Sequence, residues 1–228
     1  MSISQTAIDI VSSDPILRQC IARGIVNYRK LAKLIQPMVS QIVGKEVSVD
    51  VIKVALIRYA NRFVEEANTR RDVLEIIANS SVEVRTDITI IIARSYITSY
   101  LSQAISRLLP RSRFLAIMQS VTATTIVADK DTAEEILKSV RSEDLIDVQK
   151  GYGAIVIVSP QEIMTTPGVL AYIANVLAQN NINIVHVESC YTDTIIVVSR
   201  EDVEKTFRII MNHIEGAKKI LSLLKPSS

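Results

Sequence analysis

The histidines and cysteines have the widest chemical range in this 228-residue chain, and there are two of each. Cys190 follows His186 by four positions, a spacing that suggests a thiol–imidazole pair. The residues around them, Asn183 to Cys190, alternate as a strand, and strand residues four apart stand ~13 Å from each other along the chain. That is beyond the reach of proton transfer. His213 falls in a helical pattern with neither an HExxH spacing nor paired cysteines, so no zinc site is expected. The chain has no GxGxxG and no GxxxxGK[ST] to cradle phosphate, and no GxSxG elbow. These residues name no catalytic group, no metal ligand and no cofactor, and the protein reads as a non-enzyme.

Binding chemistry is better provided for. Lys53, Arg58, Asn61 and Arg62 follow one another along the outer face of an expected helix, and such side chains contact phosphates and base edges. Residues 1–80 carry 11 Lys and Arg against 8 Asp and Glu, a balance of only +3 (11 − 8), whereas DNA binding needs a concentrated basic patch. Three readings therefore stand side by side: the solvated face of a helical bundle, a DNA-binding surface, and an oligomerisation or partner surface. Charge placement separates them. DNA gains if Lys53, Arg58, Arg62 and Arg29 share one face; a partner gains if Asp50, Glu46 and Glu65 interrupt it.

The elements that carry these residues read as follows. Residues 1–80 are helical throughout. Asp14-Pro15 opens a helix by capping and by Pro at its first position, and Gly24 ends it. Leu31, Leu34, Ile35, Met38 and Ile42 form an apolar repeat that Gly44 stops. Pro37, inside that repeat, is expected to kink the helix or split it at Gln36. Ser48 caps the next helix, with Ile52, Ala55, Leu56, Tyr59 and Phe63 inward. A helix, a short turn holding Gly44 and a Ser-capped helix is the order of a helix-turn-helix. A further helix is expected over 70–78, and Asn79-Ser80-Ser81 marks a boundary.

From there the character changes to Ile- and Val-rich strands. Tyr152 to Ser159, an apolar run, is a buried strand. A polar loop and Pro167-Gly168 lead into a helix from Val169 to Gln179. Strands follow at 183–190 and 194–199, then a helix from Glu201 to Ile214. Strand, helix, strand, strand, helix is the ferredoxin-like order short of its last strand. Residues 82–150 repeat it: a shift of 70 lays Thr125-Ile126-Val127-Ala128 on Ile195-Ile196-Val197-Val198. The loop of this first copy, Arg94-Ser95, is short, lacks Pro-Gly and is followed by bulky Tyr96.

The stretch from 152 to 214 resembles the ACT domain, the small regulatory module of amino-acid metabolism, and above all the tandem modules of aspartate kinases. The resemblance lies in Thr166-Pro167-Gly168-Val169, in Leu177-Ala178-Gln179-Asn180-Asn181-Ile182-Asn183-Ile184, and in Ile195 to Val203 (IIVVSREDV). No kinase domain accompanies it. The resemblance implies an amino-acid effector bound between two modules. It implies a ligand loop made of Gln161, Met164, Thr165, Thr166, Pro167, Gly168 and Val169, with Asn183 and Ser189 on the following strand. The physical basis is the helix start, where unpaired N–H groups and positive potential suit a carboxylate.

The expected architecture is α+β: a helix-turn-helix-like domain over 1–80, a degenerate ACT-like repeat over 81–150, and an ACT domain with a C-terminal helix over 151–228. The expected function is a non-catalytic regulator that senses an amino acid and binds DNA through its N-terminal helices. The alternative is a stand-alone regulatory subunit docking on a biosynthetic enzyme. A homodimer is expected because the second copy lacks a fourth strand and would leave a sheet edge open. The sequence has no run long and apolar enough to span a bilayer and no signal-peptide pattern at its start. Two cysteines in unrelated segments fit a reducing, cytoplasmic setting.

Overall fold

The computed structural model describes residues 2–61 and 67–224, and the side chains of all of these except 67–70. The contacts divide the chain into two units, Met1–Arg71 and Asp72–Ser228.

The first unit holds four helices: α1 (Ile3–Ser12), α2 (Pro15–Ala22), α3 (Tyr28–Val43) and α4 (Val49–Ala60). Their ends are set by local chemistry. The Asp14 carboxylate accepts from the amides of Ile16 and Leu17 at 2.8 and 3.1 Å, which starts α2. The Asn27 side chain does the same for α3 through the Lys30 amide, at 3.1 Å. Gly44, at φ 74°, closes α3 in the left-handed region that favours glycine. The turn to α4 is tied down by Gln36, whose side-chain amide donates to the Val47 carbonyl at 2.9 Å. Ala7, Val11, Ile21, Leu31, Ile35, Val39, Ile52 and Leu56 share one core.

Two expectations for α3 need correction. The helix is not split at Gln36 but continues through Pro37 to Val43. Pro37 and Lys33, whose carbonyl loses its i+4 donor, both lie on the exposed side, where water can take that bond. Leu34, Met38 and Ile42 do not face inward; they are 66, 45 and 55% exposed. The buried stripe is instead Leu31, Ala32, Ile35 and Val39. Phe63, also expected inward, lies outside the described residues.

The second unit begins within α5 (Ala67–Ala78), whose Val73, Leu74, Ile76 and Ile77 enter its core. There follow β1 (Ser81–Arg94), α6 (Thr98–Leu108), β2 (Leu115–Gln119), β3 (Ala123–Asp129), α7 (Lys130–Ser139), β4 (Leu145–Val158), α8 (Val169–Gln179), β5 (His186–Cys190), β6 (Asp193–Ser199) and α9 (Val203–Leu224). The six strands form one antiparallel sheet in the order β2-β3-β1-β4-β6-β5. The strand expected at 152–159 starts earlier than read and is one strand of 14 residues, β4, and β1 matches it in length.

Each long strand serves both halves of the sheet. Ile88–Arg94 of β1 pair with β3, while Ser81–Arg85 pair with Ala154–Val158 of β4. In return, Tyr152–Val158 pair with β6. The change of partner coincides with backbone irregularities: Asp87 at φ 56°, Gly151 at φ 84°, and register shifts between Arg85 and Ile90. Such bulges bend strands and raise their twist. The fourth strand thought missing beside 152–158 is therefore supplied by the chain itself, from Ser81–Arg85. The edge thought open beside 152–158 is thus filled from within, and β2 and β5 are the outer strands of the sheet.

Helices cover one sheet face. Ile155, Ile157, Ile196 and Val198 pack with α5, α8 and α9, and Ile91, Ile126 and Ala128 pack with α6 and α7. Ile88, Ile90, Ala154, Val156, Ile195 and Val197 form a separate cluster. The seat of α9 on the sheet is close, because a Cβ at Gly153 would overlap Val203 and come within 3.1 Å of the Arg85 carbonyl.

Candidate functional site

β4 delivers the chain to the loop that precedes α8. Ser159, buried at the strand end, is fixed by its hydroxyl to that of Ser80 at 3.0 Å and by its amide to the Thr192 carbonyl at 3.0 Å. Gln161–Met164 make one 3-10 turn. The amide of Ile163 donates to the Pro160 carbonyl, and those of Thr165 and Thr166 both donate to Glu162, at 3.1 and 3.0 Å. Pro167 has no N–H. Gly168 then turns at φ 97° as the cap residue of α8 and supplies no side-chain cap. The first helical bond is Tyr172 N–H to the Gly168 carbonyl, 2.8 Å. The amides of Val169, Leu170 and Ala171 are thus the orphan donors of a helix start, with no acidic side chain in that turn.

Gln161, Met164, Thr165, Pro167 and Gly168 are exposed around these donors, and Thr166 is half-buried. Val169 can offer only its backbone, since its side chain lies in the core. Ser189, on exposed β5, pairs with Thr194 next to the Asp193–Val158 row, at the sheet end from which this loop leaves. Asn183 does not join the group. It precedes β5 at the opposite end of the strand, seven residues from Cys190, a span of about 20 Å.

After the short Arg94-Ser95 connection of the first half, two tyrosines bind a carboxylate from the turn before β4. The hydroxyls of Tyr96 and Tyr100 both donate to the buried Asp144 carboxylate, Tyr100 at 2.7 Å. The Arg141 guanidinium lies 4.7 Å from the centre of the Tyr100 ring. The bond from Tyr96, then that from Tyr100, holds the Asp144 carboxyl below its ordinary pKa. Reciprocally, the Asp144 bond raises the Tyr96 hydroxyl. This network was not read from sequence, because a Tyr–Asp separation of 48 residues leaves no local signature.

The two histidines are engaged elsewhere. His186 Nε2 lies 3.1 Å from Glu188 Oε1, its neighbour on the same strand face, rather than beside Cys190. His213 Nδ1 lies 2.8 Å from the Tyr172 hydroxyl. Among the described residues no group of three or more His, Cys, Asp or Glu side chains could hold a metal ion.

Of the residues considered for DNA contact, Lys53 and Arg58 do not share one face of α4. Lys53 and Arg58 are five positions apart on α4, so they point about 140° away from each other. Between them lie Val54 and Ile57, 46 and 36% exposed, with Val51 at 45%. Asp50 stands in the first turn and Asn61 is the C-terminal cap residue. Arg62 and Glu65 lie outside the described residues.

The family model of the ACT domain matches residues 147–212, from within β4 to the middle of α9, and so includes the loop and helix start just described. This part of the chain is an ACT domain. The ACT match stops short of Ser81–Arg85, the strand that completes its sheet in this protein. Among solved structures, aspartate kinase from Clostridium acetobutylicum is similar at 18% identity and a TM-score of 0.46, over 59% of this chain and 34% of that one. This chain therefore corresponds to about a third of that enzyme. The regulatory subunit of aspartate kinase from Thermus thermophilus, in its ligand-free form, is similar at 18% identity and a TM-score of 0.46, over 58% of this chain and 95% of that one. Aspartokinase III of E. coli, in complex with aspartate and ADP, gives 14% identity and a TM-score of 0.46, over 59% and 33%. No curated protein matches the sequence. Among the described residues no helix is long and apolar enough to cross a membrane.

Proposed function

We propose that the protein is a non-catalytic, cytoplasmic regulator that senses an amino acid at Gln161–Val169. ACT domains are regulatory, amino-acid-sensing modules, and the start of α8 in this chain has no side-chain cap, behind a loop in which the amides of Ile163, Thr165 and Thr166 are engaged. A ligand carboxylate would satisfy the amides of that helix start and gain from the helix dipole. Residues 81–150 would be a second, degenerate module, in which the Arg94-Ser95 connection is short and Tyr96 is bonded to Asp144. The effector would act by binding one arrangement of the modules more tightly than another. Modules of two copies would pair side by side.

The output goes to a protein rather than to DNA. What favours this is the outer surface of α4, where Val51, Val54 and Ile57 separate the cationic side chains. A stand-alone regulatory subunit docking on a biosynthetic enzyme fits such a surface.

The test is a thermal-shift screen of the twenty amino acids against the wild type and Leu170→Glu. Leu170 is 47% exposed in the first turn of α8. A glutamate there suits the helix dipole, so the fold keeps its stability, but it competes with a ligand carboxylate for the same amides. A ligand at 100 times its Kd stabilises the wild type by about 2.7 kcal/mol, and the variant should lose that shift. Equal shifts in both proteins would move the site elsewhere. DNA retention at low salt that weakens in Arg58→Ala would restore the DNA reading.

A further inference from the structure

β5 is an outer strand of the sheet, with an edge open for pairing. Its five residues, His186–Cys190, carry a metal-binding donor at every second position: the His186 imidazole, the Glu188 carboxylate and the Cys190 thiol. Alternate residues of a strand share a face. Asp193 of β6 joins them there, since it stands directly opposite Cys190. Within one chain the set does not close on an ion, because His186 and Cys190 stand ~13 Å apart along the strand. The imidazole is nevertheless arranged as a ligand. Its Nε2 lies 3.1 Å from Glu188 Oε1, and the two side chains are only 17 and 11% exposed. A carboxylate on one ring nitrogen fixes the tautomer and leaves the lone pair of the other, Nδ1, to a metal. Among the described residues Nδ1 has no hydrogen-bond partner.

We infer that two copies pair edge to edge through β5 and bind zinc in two equivalent sites, each made of His186 from one copy and Cys190 and Asp193 from the other. The inference rests on the side-by-side pairing of modules proposed above and is independent of the amino-acid site. An antiparallel pair about a two-fold axis at Glu188 is the register that sets all five residues of β5 against a copy of the strand. It places His186 opposite Cys190 of the other copy, twice. Residues so opposed have Cβ atoms about 4.5–5.5 Å apart, a separation at which an imidazole and a thiolate share one ion. Asp193 of the other copy stands one strand further on, on the same face. Nitrogen, sulfur and oxygen donors with one position left open suit tetrahedral zinc. The same register sets the two Glu188 carboxylates face to face, which opposes pairing. A dication on either side offsets that repulsion, so pairing should tighten with the metal.

Cobalt(II), whose absorption reports tetrahedral thiolate coordination, is the probe. The protein is the full chain with Cys20→Ser, which removes the other free thiol. A thiolate-to-cobalt charge-transfer band that zinc abolishes is expected, and sedimentation should shift toward dimer as zinc is added. His186→Ala and Cys190→Ala should each lose the band. Mixing these two variants metal-free and then adding cobalt rebuilds one complete site in every mixed dimer. Half the dimers are mixed and half their sites are complete, so about a quarter of the band should return. Unchanged circular-dichroism melting of the metal-free variants checks that each is folded. The inference is overturned if the starting protein shows no band, if either variant keeps it, or if the mixture stays without one. A metal-free dimer that shows no band would remove the zinc and leave side-by-side pairing standing; a monomer at every zinc concentration would remove both. Neither result touches the thermal-shift screen of the Gln161–Val169 site.

Discussion

Gly168 and Asp144 do corresponding work in the two halves of the second unit, one by lacking a side chain and one by having a buried charge. Gly168 sits at φ 97° with ordinary space where its Cβ would go, 3.7 Å from a Val73 methyl. The cost of replacing it is therefore backbone strain rather than collision. Gly168→Ala should lose about 1–2 kcal/mol, read from the urea midpoint, and a bulky variant there would confuse lost folding with lost binding. Asp144 ties Tyr96, Tyr100 and Arg141 together, and its carboxyl titrates below the ordinary range because the Tyr96 bond, then the Tyr100 bond, favours the charged form. A depressed folded-state pKa contributes stability that is present above the unfolded carboxyl's pKa and lost as pH falls through the folded one. The melting temperature of the wild type should therefore drop on acidification below about pH 4 more steeply than that of Asp144→Asn. Parallel curves for the two proteins would show that the network does not carry this charge. The Pro-Gly turn was legible in sequence because its chemistry is local. The Asp144 network was not, because it joins residues more than forty apart.

At the scale of elements, composition and period found most strands and helices and misplaced their seams. The strand read from Tyr152 in fact starts at Leu145 and runs through Gly151, at a left-handed φ of 84°. On α3 the apolar period was real, but the residues with that period divide between a buried stripe and an exposed one, and no period says which side has a neighbour. β3 and β6 start 70 residues apart (193 − 123). What no local pattern could show is that Ser81–Arg85, some seventy residues upstream, completes the sheet beside Ala154–Val158. That pairing can be tested by hydrogen exchange. Amides of Ser81–Arg85 engaged in the ladder should open only with the core of the ACT domain, at the same free energy as those of Ala154–Val158. Fast exchange over 81–85 beside slow exchange over 154–158 would mean the added strand frays by itself. Gly153→Val should weaken both together, because it pushes α9 off the sheet by overpacking at Val203, a loss of about 1–3 kcal/mol or more.

For the whole molecule the decisive fact is that the cores are separate. Among the described residues, the cluster of α1 to α4 shares no residue with those under and over the sheet. Cooperativity follows shared burial, so each unit should unfold as its own two-state body and the chain as two transitions. Ile35 and Ile155 report on them: both are almost wholly buried, at 1 and 0% exposure, one in each unit. Replacing either with Ala removes a filled side chain and leaves a cavity, at about 2–5 kcal/mol. Ile35→Ala should lower only the transition of the helical unit, and Ile155→Ala only that of the sheet unit. An effector that binds at Gln161–Val169 stabilises the unit it touches by mass action, so it should raise the transition that Ile155→Ala lowers and leave the other in place. If instead the ligand moves both transitions together, the units are energetically coupled, and the effector signal reaches the N-terminal helices through that coupling. Differential scanning calorimetry of the two variants, with and without the amino acid found in the screen, separates these outcomes in one set of traces.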